Sequence, residues 1–170
     1  MKNYTGHALG RILSRSDLSD AVKKWRTEGK VIVFTNGCFD IIHRGHVEYI
    51  AKAKKMGDIL VIGLNSDQSV RKLKGAGRPY VSENDRAYIL SQLIPIDVVS
   101  IFEEETPLNL INLIKPDVLV KGGDYFIDNI VGKNEVEQDV GTVVAIPLVE
   151  GKSTTGLIEK IKNTKPEWRN

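Results

Sequence analysis

The chain has 170 residues, 41% hydrophobic and 27% charged, with a formal net charge of +2. That length suffices for one self-supporting core, and the charge is too small for a nucleic-acid footprint or a polybasic membrane patch. A single cysteine, Cys38, excludes an internal disulfide and suits a reduced, cytoplasmic setting, and no apolar run is long enough for a secretory signal or a spanning helix.

Short β-branched runs alternate with longer amphipathic ones. Ser16 to Thr27 predicts a helix with Leu18, Val22 and Trp25 on one face, stopped by Gly29. Val31 to Thr35 reads as the first buried strand. A helix follows from His43 to Met56, with Val47, Ile50 and Ala51 together and Gly57 as its stop. Asp58 to Leu64 is a second strand, and Asn65-Ser66-Asp67 follows it. Lys72 to Val81 reads as a polar, Gly-rich loop. Ser82 and Asp85 form a capping arrangement for a helix through Leu93, with Ala87, Leu90 and Ile94 inward. Val98 to Phe102 is a third strand. Thr106 then caps a helix with Pro107 in its first position and Leu110, Ile111 and Ile114 inside. Val118 to Val120 and Thr142 to Ile146 are the last strands, and Thr154 to Ile161 is the closing helix.

This pattern predicts an α/β single domain: an open, doubly wound, Rossmann-like parallel sheet of about five strands, with ligands at the carboxyl strand ends where the order reverses. Residues 1–30 form an N-terminal arm and helix, 31–162 the main domain and 163–170 a tail. Three roles stay open for Met1 to Arg15: covering the site, packing on a second subunit, or remaining unstructured.

The strongest chemical signal is Thr35-Asn36-Gly37-Cys38-Phe39-Asp40-Ile41-Ile42-His43-Arg44-Gly45-His46, between the first strand and the next helix. A helix start offers unpaired N–H groups and a positive dipole end to phosphate. His43 and His46, three apart, share a face there, and Gly45 lets a flat group approach the backbone. A surface or metal pair is the competing reading. Metal is disfavoured, because the only other histidine, His7, lies in the N-terminal arm. Cys38 is assigned no chemistry of its own.

A second signal is Gly151-Lys152-Ser153-Thr154-Thr155 before the last helix, where Ser153 or Thr154 caps a second anion-binding helix start. The third is Lys121-Gly122-Gly123-Asp124-Tyr125 after the fourth strand, a simple turn or a place where ligand meets backbone. Asn65 and Asp67 suit either an Asx-turn or sugar hydroxyls. Lys72, Lys74 and Arg78 are either a solvated surface or a loop neutralising two phosphorylated substrates. Arg86 is an ion-pair partner of Asp85 or Glu83 unless it reaches phosphate.

Together these motifs resemble the nucleotidylyltransferase superfamily with its His-x-Gly-His signature, over about Val31 to Ile161. The Thr-Asn-Gly-Cys-Phe-Asp start, the Asn-Ser-Asp, the Lys-Gly-x-x-Arg-Pro run at Lys74 to Pro79 and Lys-Gly-Gly-Asp-Tyr are most similar to its heptose 1-phosphate adenylyltransferases. The resemblance implies transfer of AMP from ATP to a sugar 1-phosphate, with Mg²⁺ on the triphosphate and no metal held by the protein. It implies a stand-alone form without a fused kinase, a homo-oligomer, and no nucleic-acid or membrane partner. His43, His46 and Lys74 would be catalytic. Asn36, Gly37, Cys38, Phe39, Gly45, Lys72, Arg86, Lys121, Gly122, Gly123, Asp124, Ser153 and Thr154 would bind ATP. Asp40, Asn65, Asp67 and Arg78 would bind the acceptor.

Some cytidylyltransferases of the superfamily carry Arg-Thr-Glu-Gly before the Ser-Thr-Thr motif. Here Leu148-Val149-Glu150-Gly151 lacks the arginine, which counts against an alditol-phosphate cytidylyltransferase. The Lys-Gly-Gly-Asp-Tyr form counts against a pantetheine-phosphate adenylyltransferase. A non-catalytic nucleotide-binding module is the alternative of another class.

Overall fold

The computed structural model describes residues 10–123, 126–147, 149 and 151–164. Six strands, β1 (Arg11–Ile12), β2 (Ile32–Gly37), β3 (Ile59–Asn65), β4 (Val98–Phe102), β5 (Val118–Gly122) and β6 (Thr142–Ile146), form one sheet among the described residues. All pair in parallel, in the order β1-β4-β3-β2-β5-β6. The described α-helices are α1 (Arg15–Thr27), α2 (Arg44–Lys54), α3 (Asp67–Lys74), α4 (Glu83–Ser91), α5 (Leu108–Ile114), α6 (Lys133–Gln138) and α7 (Thr154–Asn163).

Residues alternate between the two sheet faces along each strand. Ile32, Phe34, Val61, Val98 and Phe102 pack with Leu18, Val22 and Trp25 of α1 and Leu110, Ile111 and Ile114 of α5. Val33, Leu60, Ile62, Leu64 and Val99 pack on the other face, with Tyr49, Ile50 and Ala53 of α2 and Ala87 and Leu90 of α4. The chain steps from β2 out to β3 and β4, then returns to β2's other side for β5 and β6. The order therefore reverses at β2, and its carboxyl end is where sheets of this kind take their ligands.

At the opposite edge the same device recurs three times. Asp58, Asp97 and Asp117 each precede a strand. Their carboxylates accept from the N–H of Val31 (2.9 Å), Leu60 (2.7 Å) and Ile32 (2.6 Å) respectively. Each aspartate's own N–H donates back to the carbonyl of the same residue. An N–H at or within one residue of a strand's start is thereby satisfied in each case.

The sixth strand is an addition to the expected five. Arg11 and Ile12, within the N-terminal arm, pair with Val98 and Val99, and α1 is part of the core. Two residues are too short a run for periodicity to reveal. Most of α3 lies ahead of the expected loop and its last turn runs into it, capped by Ser66, whose hydroxyl accepts from Ser69 N–H at 3.1 Å. Only Ser69 and Val70 of α3 are buried, so no apolar stripe announces it. Helix α6 goes unannounced in the sequence for the same reason, with Val136 alone buried. Ile94 is 78% exposed, because α4 stops at Ser91. Val47 is exposed too, and α2 buries Tyr49 and Ala53 beside Ile50 instead. Pro107 occupies the cap position of α5, with no side-chain cap from Thr106. No described helix is long and apolar enough to cross a membrane.

Asp117→Ala should leave the N–H of fully buried Ile32 without its partner and lower unfolding free energy by about 1–3 kcal/mol. Urea melts of the variant and wild type check this.

Candidate active site

The turn from β2 into α2 is held in a conformation few residues adopt. Phe39 has φ of 45°, in the left-handed region disfavoured for a bulky side chain. Its ring offsets that strain by burial, lying edge-on to His46 with centroids 5.3 Å apart. A Cβ on Gly37 would stand 3.0 Å from that ring, so a larger residue there would have to push the ring aside.

His43 occupies the cap position of α2 and makes no capping bond with its side chain. The rings of His43 and His46 stack with centroids 3.9 Å apart. The Nδ1 atoms of both are buried and have no partner. Burial first, and His43 second, push His46 down to about 4. Burial and then Lys152 lower His43 as well. Both imidazoles are thus held toward the neutral form, and stacking them this closely disfavours charging both.

The Ser-Thr-Thr motif arrives beside this pair. Ser153 caps α7 by accepting from Gly156 N–H at 3.0 Å, with Thr154 in the first helical position. A Cβ on Gly45 would meet His43 Cε1 at 3.0 Å and Lys152 Cβ at 3.1 Å. Glycine at 45 therefore lets two helix N-termini converge, each presenting unpaired N–H groups suited to phosphate oxygens. Lys152 adds an ammonium that the motifs alone do not single out. Its place inside the Gly-Lys-Ser-Thr run is the one signal of it in the sequence.

The floor comes from β5. Lys121 Nζ donates to Asn36 Oδ1 at 2.7 Å, joining two expected site residues, and burial lowers its pKa. Gly122 lies against the Tyr49 ring, and Gly123 N–H donates to Ile146 carbonyl. Asp124 lies outside the described residues, as do Tyr125, Leu148, Glu150 and His7.

Other expected residues build the site rather than face it. Arg86 is fully buried. It donates to the carbonyls of Val81 (2.9 Å), Cys38 (2.6 Å) and Asn65 (2.8 Å) and to Asp67 Oδ1 (2.7 Å). With its N–H groups so engaged, it fastens β2, β3 and the 78–81 loop instead of reaching phosphate. Asp67 Oδ1 is thereby engaged while its side chain stays a quarter exposed, and buried Asn65 turns its Nδ2 to Ser69 Oγ inside the protein. Asp40, 3% exposed, accepts from Arg78 Nε, Tyr80 N–H and Val81 N–H. It positions Arg78 and does not meet the acceptor itself.

The two loop lysines separate. Lys74, at the end of α3, is close enough to Cys38 to offset part of the burial that raises that thiol's pKa. Lys72 points elsewhere, into a cleft of about 560 Å³ at the end of β4, with Arg15, Gln68 and Glu104. Its expected contact with ATP does not follow from this placement.

A parallel sheet with two helix N-termini and a histidine pair at its point of reversal is an arrangement suited to a phosphorylated ligand. The chain belongs to the family described as cytidylyltransferase-like, whose pattern matches residues 34–160. It is 53% identical over 158 residues to the bifunctional protein HldE of Syntrophotalea carbinolica, covering 91% of this chain and 32% of that protein. Against the same-named protein of Wolinella succinogenes it is 51% identical over 162 residues, covering 95% and 33%. The chain thus spans about a third of the length of these relatives. A lipopolysaccharide core biosynthesis protein from Thermoplasma volcanium is 28% identical, with TM-score 0.60 over 73% of this chain and all of that one. Pantothenate synthetase from Thermus thermophilus, 17% identical with TM-score 0.57 over 82% and 62%, shares the fold.

The buried charges and the half-buried imidazole make the site's contribution to stability measurable. An unfolded histidine takes its proton near 6.5 and folded His46 near 4. Between those values the unfolded chain binds the extra proton, so stability present at pH 7 is lost as pH falls through that window. His46→Gln should flatten the fall of Tm there, and ring NMR should show His46 neutral at about pH 6. Arg86→Met should cost about 3–5 kcal/mol by leaving a buried ion pair broken, read as a lowered urea midpoint.

Proposed function

We propose that the chain transfers AMP from ATP to a heptose 1-phosphate, giving ADP-heptose and pyrophosphate for bacterial surface-polysaccharide synthesis. The stacked His43–His46 pair with unpartnered ring nitrogens, set where α2 and α7 begin, carries this reading. Similarity to the HldE proteins and to the lipopolysaccharide core protein supports the sugar.

A phosphate oxygen of the acceptor forms a bond to the α-phosphorus of ATP. The bond from that phosphorus to the bridging oxygen breaks, and pyrophosphate leaves with the electron pair. The acceptor is already ionised, so no base is required, and rate comes from alignment and charge stabilisation. His43 and His46 donate N–H to phosphate oxygens, and the triphosphate's charge favours their protonation as it binds. Lys74, Lys152 and the first turn of α7 balance charge on the leaving group. Lys121 and Asn36 set the pocket floor beneath the nucleotide.

Among the described residues no three His, Cys, Asp or Glu side chains gather as a metal site, and Asp40 is fully engaged. Mg²⁺ would enter as part of the triphosphate substrate, where it offsets pyrophosphate charge. The setting is the reduced cytoplasm, consistent with the free thiol of Cys38. The working form is a homo-oligomer, supported by the exposed Tyr88 and Ile89 of α4 and Ile94 beyond its end.

Pyrophosphate release is measured with Mg²⁺, each nucleoside triphosphate, and a panel of sugar 1-phosphates and alditol phosphates. Turnover with ATP and a heptose 1-phosphate is expected, and His46→Ala should reduce kcat by about 10²–10³ in a protein that still folds, as circular dichroism checks. Preference for CTP with glycerol 3-phosphate would replace this reading by a cytidylyltransferase. Nucleotide binding without any turnover would leave a non-catalytic module.

A further inference from the structure

Tyr80 combines an exposed ring with a backbone that is firmly held. The residue is 53% exposed. Its N–H and that of Val81 donate to Asp40 Oδ1 at 2.7 and 3.0 Å, and the Val81 carbonyl accepts from buried Arg86. The other oxygen of Asp40 accepts from Arg78 Nε at 2.6 Å, with the carboxylate 1% exposed. A buried carboxylate thus directs its bonds to this short loop. Burying an aromatic ring would stabilise the fold more than displaying it, so stability does not explain why the ring is held outward.

The Arg78 guanidinium carbon lies 5.2 Å from the centre of the Tyr80 ring. It covers part of the ring and orients the two side chains together. With Nε on Asp40, the terminal nitrogens of Arg78 donate to no described residue. Asp40 is three residues before His43, and Arg78 is in electrostatic reach of Cys38, so the pair borders the histidine turn. A Cβ on neighbouring Gly75 or Gly77 would meet nothing within 4 Å, leaving open space beside it.

We propose that Arg78 and Tyr80 form the acceptor clamp, with the guanidinium forked onto the acceptor's phosphate and the Tyr80 ring stacked on the sugar. This rests on the adenylyltransferase reading above and specifies its acceptor class. A guanidinium fork matches a phosphate with two parallel N–H bonds. A flat aromatic face matches the C–H face of a pyranose, gaining contact with many atoms at once. A linear alditol phosphate has no such face, so the clamp selects a cyclic sugar 1-phosphate.

Pyrophosphate release by the full chain tests this, with ATP and heptose 1-phosphate varied in turn. Tyr80→Leu should raise the acceptor KM about tenfold while the KM for ATP stays within about twofold, the size expected of one lost ring contact. Tyr80→Phe, which keeps the ring, should restore the acceptor KM to within about threefold of wild type. Arg78→Lys, which keeps the charge and loses the fork, should also raise the acceptor KM. An unchanged acceptor KM in Tyr80→Leu overturns the clamp. So does an equal rise in both KM values, or a rise accompanied by a lowered Tm. If wild type releases no pyrophosphate with any sugar 1-phosphate, the adenylyltransferase reading itself fails, and the clamp with it.

Discussion

The guanidinium of Arg86 has no access to water, and its charge is met by Asp67 and three backbone carbonyls from separate segments. Removing such a group from water is unfavourable unless its hydrogen bonds are replaced. The segments that replace them are the end of β2, the end of β3 and the loop before α4. Their positions are therefore mutually fixed, and everything at the carboxyl edge inherits its geometry from that agreement. Asp40 repeats the arrangement with opposite charge, binding the 78–81 loop to the histidine turn. Between them the two buried charges make one rigid frame from three stretches distant in sequence.

On that frame the chemistry is arranged by what is left unsatisfied. Two imidazoles are stacked, desolvated and short of partners. Two helix starts end in N–H groups, and Lys74, Lys121 and Lys152 approach from α3, β5 and the lead-in to α7. Each feature alone is unfavourable or neutral for the folded chain. Together they describe the outline of a polyanion, and a bound triphosphate would relieve all of them at once. The strained backbone at Phe39 belongs to the same account, held in place by its ring against His46.

The sheet was legible because Val31 to Thr35, Asp58 to Leu64 and Val98 to Phe102 are largely continuous apolar runs, as buried parallel strands must be. The histidine turn and the Ser153 cap were legible because helix starts have local chemistry. What stayed hidden depended on tertiary partners. Helix α3 shows no apolar stripe because only two of its residues face inward, and β1 is two residues whose meaning lies wholly in β4. Arg86, Asp40, Asn65 and Asp67 all looked like ligand contacts, since polar residues near strand ends usually are. Val81 aside, the partners of Arg86 come from 19 to 48 positions away, and those of Asp40 from 38 to 41, distances at which sequence spacing carries no information.

The three aspartates at the amino edge have a consequence for how such a protein changes. Each holds a residue at or next to the start of a neighbouring strand, so strand alignment is set at the edge opposite the histidine turn. A slip by one residue would break both the side-chain and the main-chain bond of a pair, and would also turn the core side chains to the wrong face. Loops at the other edge can then be lengthened, shortened or exchanged without disturbing register. The fold keeps its foundations and its workshop at opposite ends, which leaves room for one scaffold to be fitted to many phosphorylated acceptors.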